Sequence, residues 1–113
     1  LVVGGGYIGL ESAAVLSKLG HSVVVVEAME RVLARVAGPE LSAFYEAEHR
    51  AHGVEIITGA GLASLAQAGD AKLATLVDGR QIAADVVIVG IGIVPAVQPL
   101  LAAGARVGNG VWV

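Results

Sequence analysis

The sequence has no cysteine, few charged residues and few aromatic ones. Without cysteine, the 113 residues contain no disulfide, no thiolate metal ligand and no thiol nucleophile. Charged residues make up 15% of the chain and aromatic residues 4%, and the net charge is −3. The chain has no basic patch and no aromatic platform, so it lacks the usual signature of nucleic-acid binding. We therefore expect no nucleic-acid partner.

The sequence also lacks a long uninterrupted apolar run. The longest one, residues 86–97, contains Gly90, Gly92 and Pro95 and is too short to cross a bilayer. No segment resembles a signal peptide. We therefore expect a cytoplasmic domain with no membrane partner.

Apolar residues are in excess, at 56% of the chain. This share predicts strands covered on both faces, or a surface that docks against more protein. The length fits one domain with a single core. Because the first residue, Leu1, falls within a predicted strand, we expect residues 1–113 to be one domain of a longer protein.

The chain starts with the pattern of a β-α-β unit. Residues 1–4 are predicted as a short buried strand and residues 7–19 as a helix that ends at Gly20. Residues 21–27 contain four consecutive valines and are predicted as a strand buried on both faces. The apolar face of the helix is expected to contain Ile8, Ala13, Leu16 and Leu19.

The rest of the chain predicts an α/β fold that includes a meander. Pro39–Ala51 has the pattern of a helix that ends before Gly53, and Asp78-Gly79 is typical of a two-residue hairpin. Residues 54–58 and 85–89 are predicted as buried strands, 63–68, 72–77 and 80–82 as an antiparallel meander, 98–103 as helical turns, and 111–113 as a strand that follows a turn at Asn109-Gly110. The fold class is therefore α/β: a Rossmann-like three-layer domain with a parallel sheet, helices on one side and an antiparallel β-meander on the other.

A glycine-rich loop separates the first strand from the first helix. Gly4, Gly6 and Gly9 fit G-x-G-x-x-G, a pattern typical of dinucleotide sites when an acid ends the next strand. The first glycine permits a tight turn, the second lets the backbone approach a pyrophosphate, and the third lets helix and strand pack closely. The helix N-terminus offers N–H groups to phosphates. The pattern predicts dinucleotide binding; a tight junction without a ligand is the alternative.

Glu27 ends the second strand and indicates which dinucleotide binds. A carboxylate there accepts hydrogen bonds from both ribose hydroxyls of the adenosine half and repels the 2′-phosphate of NADP. The sequence therefore favours NAD(H), although an acid is also typical of a strand end. Arg31 and Arg35 have two interpretations: they bind a 2′-phosphate, or they belong to a solvated face or pair with Glu27 and Glu30.

Other polar side chains give weaker signals. Glu11 is expected in the first turn of the helix, where an acid interacts favourably with the helix dipole, and Tyr7 fits ordinary packing at the helix start. His21, His49 and His52 are expected at the surface, with no catalytic role and no metal-ligand spacing.

Three segments together resemble a known family. GGGYIGLE, ERVLARVAGPELSAFYEAEHRAHGVEI and ADVVIVGIGIVPA resemble the NAD(H)-binding domain of FAD-dependent pyridine nucleotide(-disulfide) oxidoreductases. The most similar branch is that of ferredoxin reductases of the putidaredoxin reductase and dioxygenase ferredoxin reductase types. The resemblance covers essentially the whole chain. It implies a domain inserted in a larger FAD-binding domain, where NADH reduces FAD held outside residues 1–113 and electrons pass to a ferredoxin-type iron–sulfur protein.

The resemblance also implies roles for individual residues. Tyr7 would lie near the nicotinamide and flavin rings, Glu11 near the nicotinamide carboxamide, and Gly90, Ile91 and Gly92 beside the nicotinamide ribose. With the residues of the first loop and the second strand end, the expected cofactor-binding set is Gly4, Gly5, Gly6, Tyr7, Ile8, Gly9, Glu11, Glu27, Ala28, Arg35, Gly90, Ile91 and Gly92. No catalytic or metal-binding residue is expected. One departure is Ala96, where members of the family often have asparagine.

Other functions fit parts of the pattern. A flavoprotein that reduces disulfides or another small substrate would use the same NADH domain. A simple dehydrogenase would need an acid–base residue and a substrate pocket, and no residue here indicates either. A ligand-sensing Rossmann module would not need the meander or the second glycine loop, and a methyltransferase fits the third glycine and Tyr7-Ile8 poorly.

Overall fold

The computed structural model describes residues 1–113 and contains short strands and three helices. The longest helix has 13 residues, and no helix has the length and apolar character needed to span a membrane. In chain order the elements are β1 (Val2–Val3), α1 (Tyr7–Lys18), β2 (Val24–Val26), α2 (Pro39–Ala51), β3 (Glu55–Ile57), β4 (Leu62–Ala68), β5 (Ala71–Leu76), β6 (Gln81–Ala84), β7 (Ile88–Val89), α3 (Gln98–Ala102), β8 (Val107–Gly108) and β9 (Gly110–Val111).

Four of the strands form a parallel sheet in the order β3-β2-β1-β7. Val2 of β1 pairs with Val25 of β2 on one side and with Ile88 of β7 on the other. Because β1 and β7 are parallel neighbours, the loops that follow them leave the sheet at the same edge. Ligands of open α/β sheets bind at this carboxyl edge.

The two faces of the parallel sheet pack against different layers. On one face, Val25 joins Leu10 and Ala13 of α1 in the larger core cluster. On the other face, Val26 packs with Leu76 of β5, which belongs to the antiparallel sheet β4-β5-β6. Alternate residues of β2 thus point to opposite layers, as a strand buried on both faces requires. The predicted α/β fold, with a parallel sheet and a separate antiparallel sheet, is confirmed.

The buried face of α1 differs from the predicted one. Gly9 and Ala13 are buried, whereas Ile8 and Leu19 are 64% and 69% exposed. The reason is the close approach of Gly9 to the strand side of the loop, where a Cβ would overlap the carbonyl oxygen of Gly4. The buried side of the helix is therefore formed by Gly9, Leu10 and Ala13. The prediction that Ile8 and Leu19 lie on the core-facing side is therefore wrong.

His49 is also placed differently from the prediction. It is buried, at 9% exposure, and not at the surface. Its Nε2 lies 3.0 Å from the carbonyl oxygen of Leu10 in α1, and its Nδ1 lies 2.9 Å from that of Tyr45 in α2. The imidazole therefore bridges the two helices. His21 and His52 are exposed, as predicted.

The hairpin predicted at Asp78-Gly79 and the turn predicted at Asn109-Gly110 are both present. The hairpin loop has three residues, Val77, Asp78 and Gly79, and not the predicted two, because the amide of Leu76 donates to the carbonyl oxygen of Arg80. Asp78 and Gly79 join β5 to β6, and a side-chain hydrogen bond from Arg80 holds the pKa of Asp78 below its usual range. Asn109 lies at the turn between β8 and β9. The strand predicted at residues 111–113 is wrong in its bounds, because only Gly110–Val111 pairs, and it pairs back onto β8.

Candidate functional site

Two glycine loops meet at the carboxyl edge of the parallel sheet. The first glycine loop (residues 4–6) follows β1, and the second (Gly90, Ile91 and Gly92) follows β7. The amide of Gly90 donates to the carbonyl oxygen of Val3 at 2.7 Å. Gly4 has φ +107°, and a Cβ there would overlap the carbonyl oxygen of Gly90. Glycine at position 4 is therefore needed both for the turn and for the close approach of the two loops.

The other two glycines of the motif differ sharply in their surroundings. Gly9 is buried, and a Cβ there would overlap the carbonyl oxygen of Gly4 and lie 3.4 Å from Cγ1 of Val2. Gly6 is the N-cap of α1, and a Cβ there would have no atom within 4 Å. Packing explains the glycine at position 9, as the sequence pattern predicts. Packing within the chain does not explain the glycine at position 6, which faces open space.

Glu27 reaches from the end of β2 to the first glycine loop. Its Oε2 accepts a hydrogen bond of 2.6 Å from the amide of Gly5, and its Oε1 accepts one of 2.8 Å from the amide of Met29. The two bonds fix the orientation of the carboxylate. Since each carboxylate oxygen has two lone pairs, each keeps capacity for a further donor.

Residues 28–38, here called the wall segment, form the side of the site next to Glu27. The amide of Leu33 donates to the carbonyl oxygen of Gly5 at 2.9 Å, so the wall segment is bonded directly to the first glycine loop. Leu33 is 2% exposed and has φ +54°, an uncommon conformation for a leucine. Packing and hydrogen bonds from the rest of the chain must therefore hold this backbone in place.

These elements enclose a cleft of about 580 Å³. Eleven of the thirteen predicted cofactor-binding residues line it: Gly4, Gly5, Gly6, Tyr7, Ile8, Glu27, Ala28, Arg35, Gly90, Ile91 and Gly92. Sequence reasoning missed the remaining lining residues, among them Met29, Leu33, Ala34, Val36, Gly61 and Leu62. Met29 directly follows the predicted residues Glu27 and Ala28, so the sequence pattern could have included it. Gly61 and Leu62 come from the meander side, where no local signal points to the cleft.

Two of the predicted residues do not line the cleft. Gly9 lies behind the first glycine loop, against the strand. Glu11 is exposed on α1, and as the fifth residue of a helix that begins at Tyr7 it lies beyond the first turn. The expectation that Glu11 interacts with the helix dipole in the first turn is therefore wrong. It lies one turn after Tyr7, on the same side of the helix.

The two arginines of the wall segment have different environments. Arg31 lies outside the cleft, and its Nη1 donates to the carbonyl oxygen of Ala37 and to Oγ of Ser42, both at 2.7 Å. It pairs with neither Glu27 nor Glu30. Arg35 lines the cleft, is exposed, and has its Nη1 3.9 Å from the position of a Cβ on Gly92 of the second glycine loop. The cleft thus has a carboxylate on one side and a guanidinium at its rim.

Comparison with known proteins agrees with this arrangement. Residues 1–113 match the family model of the pyridine nucleotide-disulphide oxidoreductases. The chain is 62% identical over 113 residues to the ferredoxin reductase subunit of 5,5′-dehydrodivanillate O-demethylase from Sphingobium sp. (strain NBRC 103272 / SYK-6), with 97% of this chain and 27% of that protein covered. The chain therefore spans about a quarter of the length of this curated relative.

Solved structures show the same fold. The ferredoxin reductase for the CYP199A2 system from Rhodopseudomonas palustris superposes with a TM-score of 0.92 at 38% identity, covering 97% of this chain and 28% of that one. Putidaredoxin reductase in its covalent complex with putidaredoxin superposes with a TM-score of 0.89 at 42% identity, covering 96% of this chain and 27% of that one. Since the family model spans the whole chain and the folds agree, the chain belongs to the pyridine nucleotide-disulphide oxidoreductases, a family of oxidoreductases.

Proposed function

We propose that residues 1–113 are the NAD(H)-binding domain of a larger flavoprotein, a ferredoxin reductase that is reduced by NADH. One observation carries the proposal: the two glycine loops and Glu27 come from three separate parts of the chain and line one cleft. The names of the relatives, which are ferredoxin reductases, support the electron-transfer role. The family as a whole uses NAD(P)H and FAD.

The adenosine half of NADH fits the Glu27 side of the cleft. Each carboxylate oxygen already accepts one backbone amide and keeps a lone pair, so the two oxygens together match the two hydroxyls of a ribose. A 2′-phosphate would place a second negative group against this carboxylate. This geometry supports NADH over NADPH.

The pyrophosphate fits the N-terminus of α1. The amide of Leu10 is the first to bond inside the helix, to the carbonyl oxygen of Gly6 at 3.0 Å. The amides of Tyr7, Ile8 and Gly9 therefore have no partner within the helix, and no side chain caps them. Together with the open space beside Gly6, these amides suit an anion.

The nicotinamide half is assigned to the other end of the cleft. Tyr7 is 52% exposed and lines the cleft together with the second glycine loop, which lies beside the nicotinamide ribose in this proposal. Glu11, one turn after Tyr7, remains a proposed contact for a carboxamide that extends past the margin. When bound, NADH supplies a hydride to FAD. The residues of this domain bind and orient the dinucleotide and leave its reactive face accessible to the rest of the protein.

The proposed partners are the FAD-binding domain of the same chain and a ferredoxin-type iron–sulfur protein. The relatives' names and the complex of putidaredoxin reductase with putidaredoxin support the second partner. A cytoplasmic location is part of the proposal, since NADH is the reductant. The runner-up is an NADH-dependent flavoprotein that reduces a disulfide or another small substrate. The absence of cysteine here would place its redox disulfide outside residues 1–113.

The test uses the full-length protein that carries this domain. Its visible spectrum should show a bound flavin, and anaerobic NADH should bleach the flavin band at lower concentration than NADPH. Addition of an oxidised ferredoxin-type protein should then restore the flavin band, whereas a disulfide should not. Absence of flavin, or of bleaching, overturns the proposal. Reoxidation by a disulfide alone selects the runner-up, and NADH binding without any flavin selects a sensing module.

A further inference from the structure

The wall segment has no regular secondary structure, yet it supplies much of the cleft. Residues 28–38 contain neither strand nor α-helix. Six of them line the cleft: Ala28, Met29, Leu33, Ala34, Arg35 and Val36. A backbone that is not held by a helix or sheet needs other hydrogen bonds to keep one conformation.

Besides the backbone turn in which the amides of Val36 and Ala37 donate to the carbonyl oxygen of Leu33, Arg31 and Ser42 supply such bonds from behind the cleft. Besides its bonds to Ala37 and Ser42, Arg31 donates through Nη2 to the carbonyl oxygen of Ala34 at 3.2 Å. Ser42 lies on α2 and is 1% exposed, and its Oγ donates to the carbonyl oxygen of Val32 at 2.6 Å. One guanidinium and one buried hydroxyl thus bind three carbonyl groups of the wall segment and anchor them to α2.

Arg31 holds the wall segment by hydrogen bonds and not by a salt bridge. All three of its acceptors are neutral oxygens, and no carboxylate forms a salt bridge with it. A guanidinium presents several N–H donors in a fixed planar fork, which an ammonium group lacks. Lysine at position 31 would keep the charge and lose the fork.

The bonds of Arg31 bracket the part of the wall segment that carries Arg35. Ala34 and Ala37 stand on either side of Arg35 in the chain, and Arg31 holds both of their carbonyl groups. On the cleft side, Leu33 is bonded to Gly5 of the first glycine loop. The wall segment is therefore bonded on one side to the first glycine loop and on the other side to Ser42 of α2, through Arg31 and Val32.

We propose that Arg31 is a positioning residue for dinucleotide binding: without touching the ligand, it sets the place of the wall segment, which directly follows Glu27, against the adenosine half. This inference rests on the proposed function. It predicts a loss specific to ligands that contain the adenosine half, because the nicotinamide end of the cleft is formed by other elements.

The experiment compares full-length Arg31→Lys and Arg31→Met with the wild type, and uses Arg80→Lys, in an exposed hairpin far along the chain, as the matched control. Binding of ADP-ribose is measured by calorimetry, and flavin reduction by NADH and by reduced nicotinamide mononucleotide is measured by stopped flow. We expect both Arg31 variants to raise Kd for ADP-ribose and KM for NADH about tenfold, with kcat within about twofold. Reduction by the mononucleotide, which lacks the adenosine half, should stay within about twofold of the wild type.

The outcomes separate the two proposals. Unchanged ADP-ribose affinity in a folded Arg31 variant, or an equal loss with the mononucleotide, overturns the positioning role of Arg31 while NADH binding by the wild type keeps the proposed function. If the wild type binds neither NADH nor ADP-ribose, the proposed function fails and this inference fails with it. Should both Arg31 variants fail to fold, Ser42→Ala removes the bond to Val32 and must show the same selective loss; a variant that binds ADP-ribose like the wild type overturns the inference.

Discussion

The carboxylate of Glu27 accepts a hydrogen bond of 2.6 Å from the amide of Gly5, which joins the end of β2 to the loop after β1. Its second oxygen accepts the amide of Met29 at 2.8 Å. Glu27 therefore has a structural role in orienting the cleft in addition to the ribose contact proposed for it. Experiments on Glu27 must separate these two roles.

Glu27→Ala is expected to raise Kd for NADH roughly thirtyfold, because about 2 kcal/mol of hydrogen bonding to a charged group is lost. The affinity for NADPH should fall much less, since the repulsion of its 2′-phosphate is removed as well. Titration calorimetry with both dinucleotides measures the change. Glu30→Ala is the control: it removes the same charge from an exposed position three residues further along the chain and breaks no hydrogen bond. Equal NADH affinity in Glu27→Ala and Glu30→Ala would remove Glu27 from the site.

Combining Glu27→Ala with Ala28→Arg is expected to shift the cofactor preference further from NADH towards NADPH. Ala28 lines the cleft next to the carboxylate, so an arginine there would place a guanidinium where a 2′-phosphate would lie. The ratio of kcat/KM for NADPH to that for NADH should rise by at least about tenfold over the single variant. A double variant with the same ratio as Glu27→Ala would show that the 2′-phosphate does not lie beside position 28.

Gly6→Ala is expected to lose NADH affinity and keep its stability, whereas Gly9→Ala is expected to lose stability. At position 6 a Cβ meets no atom within 4 Å, so the free energy of unfolding should change by no more than about 0.5 kcal/mol, while NADH affinity falls about tenfold because the Cβ occupies the space proposed for the pyrophosphate. At position 9 a Cβ overlaps the carbonyl oxygen of Gly4, so the free energy of unfolding should fall by about 2–3 kcal/mol. Chemical denaturation and NADH titration of both variants distinguish the effects. Full NADH affinity in Gly6→Ala would contradict the phosphate site.

Residue spacing along the chain predicted those helices and strands whose formation depends on neighbouring residues. A β-α-β unit is predicted by the glycine motif and the four valines. The second helix is predicted by the pattern of Pro39–Ala51, and the observed α2 has these bounds. The buried side of α1 did not follow from its apolar spacing, because it includes Gly9, which packs against the carbonyl oxygen of Gly4.

The structure of the wall segment could not be predicted from the sequence pattern either. Its polar residues suggested phosphate binding or ion pairs, but the partners of Arg31 are backbone carbonyl groups and a serine on the next helix. Bonds of this kind depend on how the segment folds back onto α2, and no periodicity in the sequence encodes that path. The contribution of Gly61 and Leu62 to the cleft is invisible for the same reason, since it depends on how the antiparallel sheet sits on the parallel one.

His49 provides a test of the packing that supports the first glycine loop. With its proton on Nε2, the ring donates to the carbonyl oxygen of Leu10, which immediately follows Gly9. His49→Ala removes this bridge between α1 and α2 and leaves space in a buried position, so the free energy of unfolding should fall by about 2–3 kcal/mol. His52→Ala is the control: that side chain is 69% exposed, and its loss should cost no more than about 0.5 kcal/mol. Because His49 does not line the cleft, Kd for NADH should stay within about threefold wherever the variant is folded. A His49→Ala protein as stable as His52→Ala would show that the helix bridge contributes nothing to stability.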